Sequence, residues 1–381
     1  MIRPKILCRK WHMRSLDEVV EFLDHLRKPV KEKDRVPGPY PYYGANGQRG
    51  TINGYLFDEP LVLLAEDGGH FGVPGKPIAY QVDGKCWVNN HAHVLRPRKS
   101  IDIRFLCHQL EHYDVTSFIS GTTRAKLTKR SASRIPVVIP PLPEQRRIAA
   151  ILDKADAIRR KRQEAIRLTD EFLRSAFLDM FGDPTTNPKE WETKPIKKIG
   201  KVVTGNTPSR KKQEYYGDHI EWIKSNNINT PFHFLTEADE YLSQQGKQVG
   251  RSVPAYSILV SCIAGTPECI GNAALTDREV AFNQQINAIV PFKYTDPYFL
   301  YSQLLVAKKL VQRESTNSMK GLVSKSKFEK IKLLIPRKEK QNKFREIFMQ
   351  YLTLHERQTK LQMESDFLFD SSRQRAFRGE L

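Results

Sequence analysis

The sharpest chemical signal in the chain is His108-Gln109-Leu110-Glu111-His112, a formal H-x-x-E-H string that would set two imidazoles and a carboxylate on one helical face. One class of zinc peptidases uses that arrangement. Such a centre needs a third protein ligand, and no residue of the sequence is singled out for it. Strings this short arise freely, so a solvent-facing helix is the expected setting. His91-Ala92-His93 is equally weak as a metal site, and no metal set is expected. Asp296-Pro297-Tyr298-Phe299 approaches the Asn/Asp-Pro-Pro-Tyr/Phe motif of adenine methylation but lacks its second proline. It reads as a helix N-cap followed by proline in the first turn. A phosphate loop needs G-x-x-x-x-G-K-[ST], whereas Gly75-Lys76 is followed by Pro77, and His70 stands where the first glycine belongs. Cys8, Cys86, Cys107, Cys262 and Cys269 contain no C-x-x-C pair and read as reduced thiols. No catalytic residue is expected.

The bulk properties point instead to binding. Hydrophobic residues make up 39% of the 381 and aromatics 10%, enough for globular domains with their own cores. Sixty-two Lys and Arg against 43 Asp and Glu leave a formal charge of +19, which favours a polyanionic partner, nucleic acid first. No run of about 18 apolar residues and no signal-peptide pattern is present, so a cytoplasmic protein is expected.

Sliding the chain along itself shows what must position any binding residues. At a shift of 194, Asn89 falls on Asn283, Pro97 on Pro291 and Phe105-Leu106 on Phe299-Leu300. At 195, Leu127 falls on Leu322, and at 196, Ile135, Ile139, Pro140 and Gln145 fall on Ile331, Ile335, Pro336 and Gln341. An ordered series whose offset grows by single residues is the mark of a duplication with small loop insertions. Each copy begins with a mixed segment. Leu61 to Leu64, Ile258 to Val260 and Ile286 to Val290 read as strands, and Ile101 to Tyr113 and Pro297 to Gln312 as helices.

Each copy ends in a long charged helix. From Pro143 no Gly or Pro interrupts the chain until Gly182, and Ile148, Leu152, Ala155, Ile158, Ile166, Leu173, Ala176 and Met180 recur at alternating three- and four-residue steps. The second copy places Phe344, Ile347, Tyr351, Leu354, Leu361 and Leu368 on one seam. Arg162 and Thr169 interrupt the first seam 196 residues before Gln358 and Ser365 interrupt the second, and polar seam residues of this kind can fix register. Two equivalent helices paired about a pseudo-twofold axis must run antiparallel, as a rod of about 35 residues or roughly 50 Å. The expected fold is therefore α+β: two homologous α/β domains separated by two long antiparallel coiled-coil helices. The expected bounds are 1–140, 141–184, 185–336 and 337–381.

The run Pro141-Leu142-Pro143-Glu144-Gln145-Arg146-Arg147-Ile148-Ala149-Ala150-Ile151-Leu152-Asp153, ending in Phe181-Gly182-Asp183-Pro184, resembles the central conserved region of specificity (S) subunits of type I restriction-modification systems. Ile119 to Leu127 and the terminal Ala376-Phe377-Arg378-Gly379-Glu380-Leu381 resemble further parts of that pattern. The resemblance implies a noncatalytic subunit with two target recognition domains, each reading half of a split double-stranded DNA site. It also implies helices that space the halves and dock two adenine-methylating modification subunits, with a translocating restriction subunit joining. S-adenosylmethionine, ATP and Mg²⁺ would then belong to the partners. Pro336-Arg337-Lys338-Glu339-Lys340-Gln341 departs from the first copy's Pro-Leu-Pro-Glu-Gln, which weakens the motif but not the helix.

DNA contact needs cations for phosphates and Asn, Gln, Ser, Thr or Arg for base edges. In the first domain the loop from Ser120 to Lys129 offers Thr122, Thr123, Arg124, Lys126 and Lys129, and its repeat mate offers Ser315, Thr316, Asn317, Ser318, Lys320 and Lys325 around Gly321. Base-reading candidates are Tyr43, Asn46, Gln48, Arg49, Asn89, Asn90 and His91 in the first domain. In the second they are Thr204, Asn206, Thr207, Lys224, Asn226, Asn227, Gln284 and Gln285. The run Arg159-Arg160-Lys161-Arg162 would be solvated, face a partner or lie against DNA between the half-sites. Two rival readings are a metal-dependent hydrolase built on His108 and a nonspecific scaffold or RNA-binding protein.

Overall fold

A computed structural model describes residues 11–121, 124–316 and 321–381. Two long helices, Leu142–Phe181 and Lys338–Arg378, follow two α/β heads. The chain forms two compact units, one reaching to Gln163 and including Lys360–Leu381, the other Glu164–Thr359. Each unit thus combines one head with a stretch of both helices.

In the first unit a four-stranded antiparallel sheet runs in the order Val20–Phe22, Ala92–Pro97, Leu61–Ala65, Ala79–Val82. The unbroken apolar run Leu61–Ala65 is buried along its whole length, as a central strand covered on both faces must be. A second sheet is ordered Gly47–Ile52, Tyr40–Gly44, Lys85–Val88, Phe57–Asp58, with its two middle strands parallel. His12–Ser15 pairs with Pro136–Ile139 beside the long helix.

The second unit repeats this plan. Gly200–Thr204, Ile286–Pro291, Ile258–Ser261 and Ala273–Leu275 form the four-stranded antiparallel sheet. Ile220–Ile223 and Val280–Phe282 are the parallel pair of its second sheet, which adds Tyr216–Gly217 and Tyr241–Leu242 at one edge and Ser252–Val253 at the other. Thr193–Pro195 pairs with Lys332–Leu334. Two homologous heads and two long antiparallel helices are the fold anticipated from the repeat.

The head helices are Ile103–Leu110 and Pro297–Val306, each capped by an aspartate. Asp102 accepts from the amides of Arg104 and Phe105, and Asp296 from those of Tyr298 and Phe299, all at 3.0–3.2 Å. Both helices are shorter than their periodicity suggests. The second breaks at Ala307 (φ −101°, ψ 26°) and resumes as Lys308–Arg313.

Matched glutamines lock the heads onto the long helices. Gln145, 1% exposed, accepts from the Asp102 amide at 2.8 Å and donates to the Pro140 carbonyl at 2.8 Å. Gln341, also 1% exposed, does the same with Asp296 and Pro336 at the same distances. Gln109 pairs with both backbone groups of Val138, and Gln303 with both of Leu334. Two pairs of equivalent side chains with equivalent backbone partners require a common ancestral fold for the heads, since each bond needs its whole surroundings preserved.

Phenylalanine completes each lock. In the first unit Phe105 packs on Ile148, Ala149 and Leu152 of one long helix and Ala376 and Phe377 of the other, ring to ring with Phe377 at 5.5 Å. In the second, Phe299 lies 4.8 Å from Phe181 and 5.8 Å from Phe177, and Phe177 lies 5.3 Å from Phe344.

Within each unit the long helices run antiparallel. In the first unit Arg147 donates to the Leu381 carbonyl at 2.7 Å, the Arg159 guanidinium sits 4.8 Å over the Phe369 ring, and Arg162 donates to the Leu361 carbonyl. In the second, the Thr169 hydroxyl donates to Gln358 Oε1 at 2.8 Å, ahead of Phe177 on Phe344. Of the polar interruptions read from the sequence, Thr169 and Gln358 meet each other, Arg162 meets the facing backbone, and Ser365 donates to the Leu361 carbonyl of its own helix at 2.8 Å. Of the expected seam, Ile148, Leu152, Leu173, Phe344 and Tyr351 are buried, and Ala155, Ile166, Ile347 and Leu361 half-buried. Leu354, Leu368 and Ile158 are a correction: they are 47%, 62% and 52% exposed, and Phe348, Leu352 and Phe369 are buried instead. Beyond Phe344 and Tyr351 the buried positions thus fall one residue later than the leucines suggest, because Phe348 packs on Tyr298 and Tyr301 of the head and Phe369 lies under Arg159.

His108 also departs from expectation. Helix Ile103–Leu110 is buried from Phe105 onward, not solvent-facing. Both imidazole nitrogens of His108 face carboxylates, Nδ1 to Glu111 at 3.0 Å and Nε2 to Asp153 of the long helix at 2.8 Å. Burial works against its charge, but the bonds to Glu111 and Asp153 win and hold its pKa above the ordinary 6.5. His108 is an ion-pair strut between head and helix.

Removing the Phe344 ring opens the aromatic cluster, so Phe344→Ala should lower unfolding stability by about 3–5 kcal/mol in urea titrations. Leu354→Ala should change it by no more than about 0.5 kcal/mol. The His108 ion pairs are at full strength below its unfolded value and fade as pH rises through the raised folded value. His108→Ala should therefore cost more stability at about pH 6 than at about pH 8.5, read from urea titrations at the two pH values.

Candidate nucleic-acid interface

At one edge of the first head, four chain segments converge on two carboxylates at the end of strand Leu61–Ala65. Glu66 receives Arg27 at 2.7 Å and Lys126 at 3.1 Å. Asp67 receives His91 Nδ1 at 2.5 Å and Arg124 at 2.8 Å. Asn46 donates to the Gly68 carbonyl at 2.9 Å. Asn89, buried, accepts from the His91 amide at 2.8 Å and so shapes the turn that exposes Asn90. Gly44 lies close beneath this turn: a Cβ there would stand 3.0 Å from Asn89 Nδ2 and 3.2 Å from Arg49 Cγ, and those side chains would have to shift.

The edge therefore presents Asn46, Gln48, Arg49, Asn90, Arg124 and Lys126, all exposed, around half-buried His91. Tyr43 is half-buried with its ring 5.9 Å from Tyr80, and burial raises its hydroxyl above the usual range. It supports the surface from below. His93, fully buried, is bonded to Asp24 and the Leu127 carbonyl, which separates it from His91.

The second head builds its edge on the same backbone bonds. In the first, the Glu66 amide donates to the His91 carbonyl and the Leu127 amide to the Glu66 carbonyl; in the second, Cys262 to Gln285 and Val323 to Cys262 replace them. Asn283 accepts from the Gln285 amide at 3.0 Å, repeating the Asn89 turn and exposing Gln284. Gly205 presses on this turn, where a Cβ would fall 2.1 Å from the Asn283 carbonyl oxygen.

Side chains at the second edge differ. Thr207 bonds Gln284, and Ser225 donates to Gln285 Oε1 at 2.9 Å. Asn226 reaches Asp239 at 3.2 Å, and Lys224 pairs with Glu240. The bond from Lys224, joined by one from Arg210, holds Glu240 below the usual carboxylate range. Asn206 donates to the Val249 carbonyl at 2.9 Å, and Thr204 to Asn287 at 2.6 Å. Asn227 is a correction, because it is 3% exposed and its amide is consumed by the Lys224 amide, Thr236 and the Glu237 carbonyl. It holds the turn and has no group free for a base.

Sequence reasoning missed Glu66, Asp67 and Arg27, which order the first edge, and Arg210, whose guanidinium lies 4.4 Å over Tyr216 and 4.9 Å over Trp222. The run Ser209-Arg210-Lys211-Lys212 was the available signal for Arg210. Thr122, Thr123, Asn317, Ser318 and Lys320 lie outside the described residues. In the mid-helix run, Arg159 and Arg160 pair with Asp156. Among the described residues no helix is long and apolar enough to cross a membrane.

The family described as "Type I restriction modification DNA specificity domain" matches residues 9–168 and 188–365, one match per head. S.HindORF215P of Haemophilus influenzae is 42% identical over 145 residues, which is 38% of this chain and 37% of that protein. The HindI specificity subunit of a type I restriction enzyme of the same organism is 34% identical over 157 residues, 40% of this chain and 33% of that one. The matches span about a third of the length of these relatives. The crystal structure of a type I restriction-modification S subunit from M. genitalium superposes with a TM-score of 0.62 at 12% identity, covering 99% of this chain and 98% of that one.

Proposed function

Starting from the premise that the chain belongs to the type I restriction modification DNA specificity family, we propose that it is a noncatalytic subunit that reads a split double-stranded DNA target, one half per head. The observation that carries this reading is the pair of equivalent edges: one set of backbone bonds supports Asn89-Asn90-His91 in one head and Asn283-Gln284-Gln285 in the other. A constant scaffold with different exposed amides suits two half-sites of different sequence, since Asn and Gln pair bidentately with adenine. Exposed Arg124 and Lys126, steered by Asp67 and Glu66, are suited to grip phosphates beside the base-reading turn.

In this reading the long helices set the spacer between half-sites and carry two modification subunits, which a restriction subunit joins. S-adenosylmethionine, ATP and Mg²⁺ are used on those partners, in the cytoplasm. A related type I system has been solved in a study of complex assembly at a TM-score of 0.54, which supports partner docking as a property of this fold. The domain bounds anticipated above, 1–140, 141–184, 185–336 and 337–381, define the parts to exchange.

Co-expression with the modification subunits and genome-wide mapping of adenine methylation should return a two-part motif with a fixed gap. Replacing residues 190–335 with another head should change one half of that motif only; a change in both halves or in neither rejects the modular reading. In binding assays on the assembled methyltransferase, Arg124→Ala should weaken all sequences alike and reduce the salt slope by about 1. Gln284→Ala should cost about 1–3 kcal/mol at one position of a single half-site.

A further inference from the structure

In the second unit Asp170 of the first long helix, His355 of the second and His233 of the head place one ligand atom each within 4.8 Å of one another. The Tyr351 hydroxyl sits among them, bonded to His233 Nε2 and donating to Asp170 Oδ1 at 2.7 Å, and His355 Nε2 lies 3.5 Å from the same carboxylate oxygen. On the far side of the His233 ring, Nδ1 bonds the buried Tyr301 hydroxyl at 2.9 Å. A cavity of about 160 Å³ opens beside the group, lined by Asp170, His233, Tyr351 and Ser302 among others. Ser302 is 2% exposed, and its hydroxyl has no hydrogen-bond partner among the described residues.

We propose that Asp170, His233 and His355 bind a divalent transition-metal ion of the zinc type. Two imidazoles and one carboxylate are a standard three-ligand set for such an ion, with the fourth position left to water. Metal–ligand bonds of about 2.0–2.1 Å put tetrahedral donors roughly 3.3 Å apart, so ligand atoms now within 4.8 Å of one another draw together and the Tyr351 hydroxyl gives way. The ion takes the point that Tyr351 now bridges, and the cavity holds the remaining water beside Ser302. Tyr301 is the outer partner: on metal binding the ring proton moves from Nε2, which now donates to Tyr351, to Nδ1, where the Tyr301 hydroxyl accepts it, and Nε2 turns its lone pair to the ion.

This donor set is not a requirement of the helix pair itself. At the matching positions 196 residues away, Asp170 is answered by Asp366, but Tyr351 and His355 are answered by Ala155 and Arg159. The ion would pin the His233 loop of one head to both helices, a clamp the other head lacks.

The untagged full-length chain, titrated with Co²⁺ after chelator treatment, should take up one equivalent with the visible absorption of a four-coordinate site, and Zn²⁺ should displace it. His233→Ala and His355→Gln should each weaken uptake by about 100-fold, and Tyr301→Phe by about tenfold through its outer contact. His108→Ala should leave uptake unchanged, and His355→Gln, at a half-buried helix position, guards against loss of fold in His233→Ala. Absence of saturable uptake by the parent chain overturns the site, as does uptake that survives both histidine changes or is lost with His108.

Discussion

Everything in this fold depends on seating one phenylalanine of each head helix between the two long helices. Phe105 and Phe299 are fully buried there, against Ile148, Leu152, Ala376 and Phe377 in one unit and Phe177, Phe181 and Phe344 in the other. Apolar burial alone would tolerate sliding, because it has no direction. Gln145 and Gln341 remove that freedom. Each offers a buried carboxamide whose partners exist at a single register, and leaving one unmet costs about 1–3 kcal/mol. Hydrophobic burial holds the head to the helices, and the buried amide decides where.

The helix pair works by the same division. Aromatic and aliphatic side chains pack it, while Thr169 on Gln358 and Arg162 on the Leu361 carbonyl bond across from one helix to the other; buried Gln362 and Ser365 bond within their own helix. A polar seam is weaker than a leucine seam but can fix register. Leu354 and Leu368 lie outside with Met363 and Phe367 as exposed apolar side chains.

At the edges of the heads, constancy resides in the backbone and variation in side chains. The turn built on Asn89 or Asn283 and the strand end at Glu66 or Cys262 keep their main-chain bonds in both units. Glu66 organises cations in one head, whereas the matching Cys262 is buried and burial pushes its thiol up to about 12. In the proposed reading this lets one scaffold address two DNA half-sites without a change of fold.

The sequence by itself determined the duplication, the two long helices and the strands Leu61–Ala65, Ile258–Ser261 and Ile286–Pro291, because these rest on local periodicity and on an offset visible in the chain. It also paired Asn89 with Asn283 and placed the polar breaks in both seams, while the turns those asparagines build came from the structure. The tertiary structure decided whatever depends on which distant residue stands opposite: that Asn227 is a buried turn support while Gln284 is exposed, that Asp67 gathers His91 and Arg124, and that His108 serves Asp153. It alone brought Asp170, His233 and His355 together from three separate segments. Periodicity tells which face of an element is apolar, but a partner across space is chosen by packing, and no spacing along the chain records it.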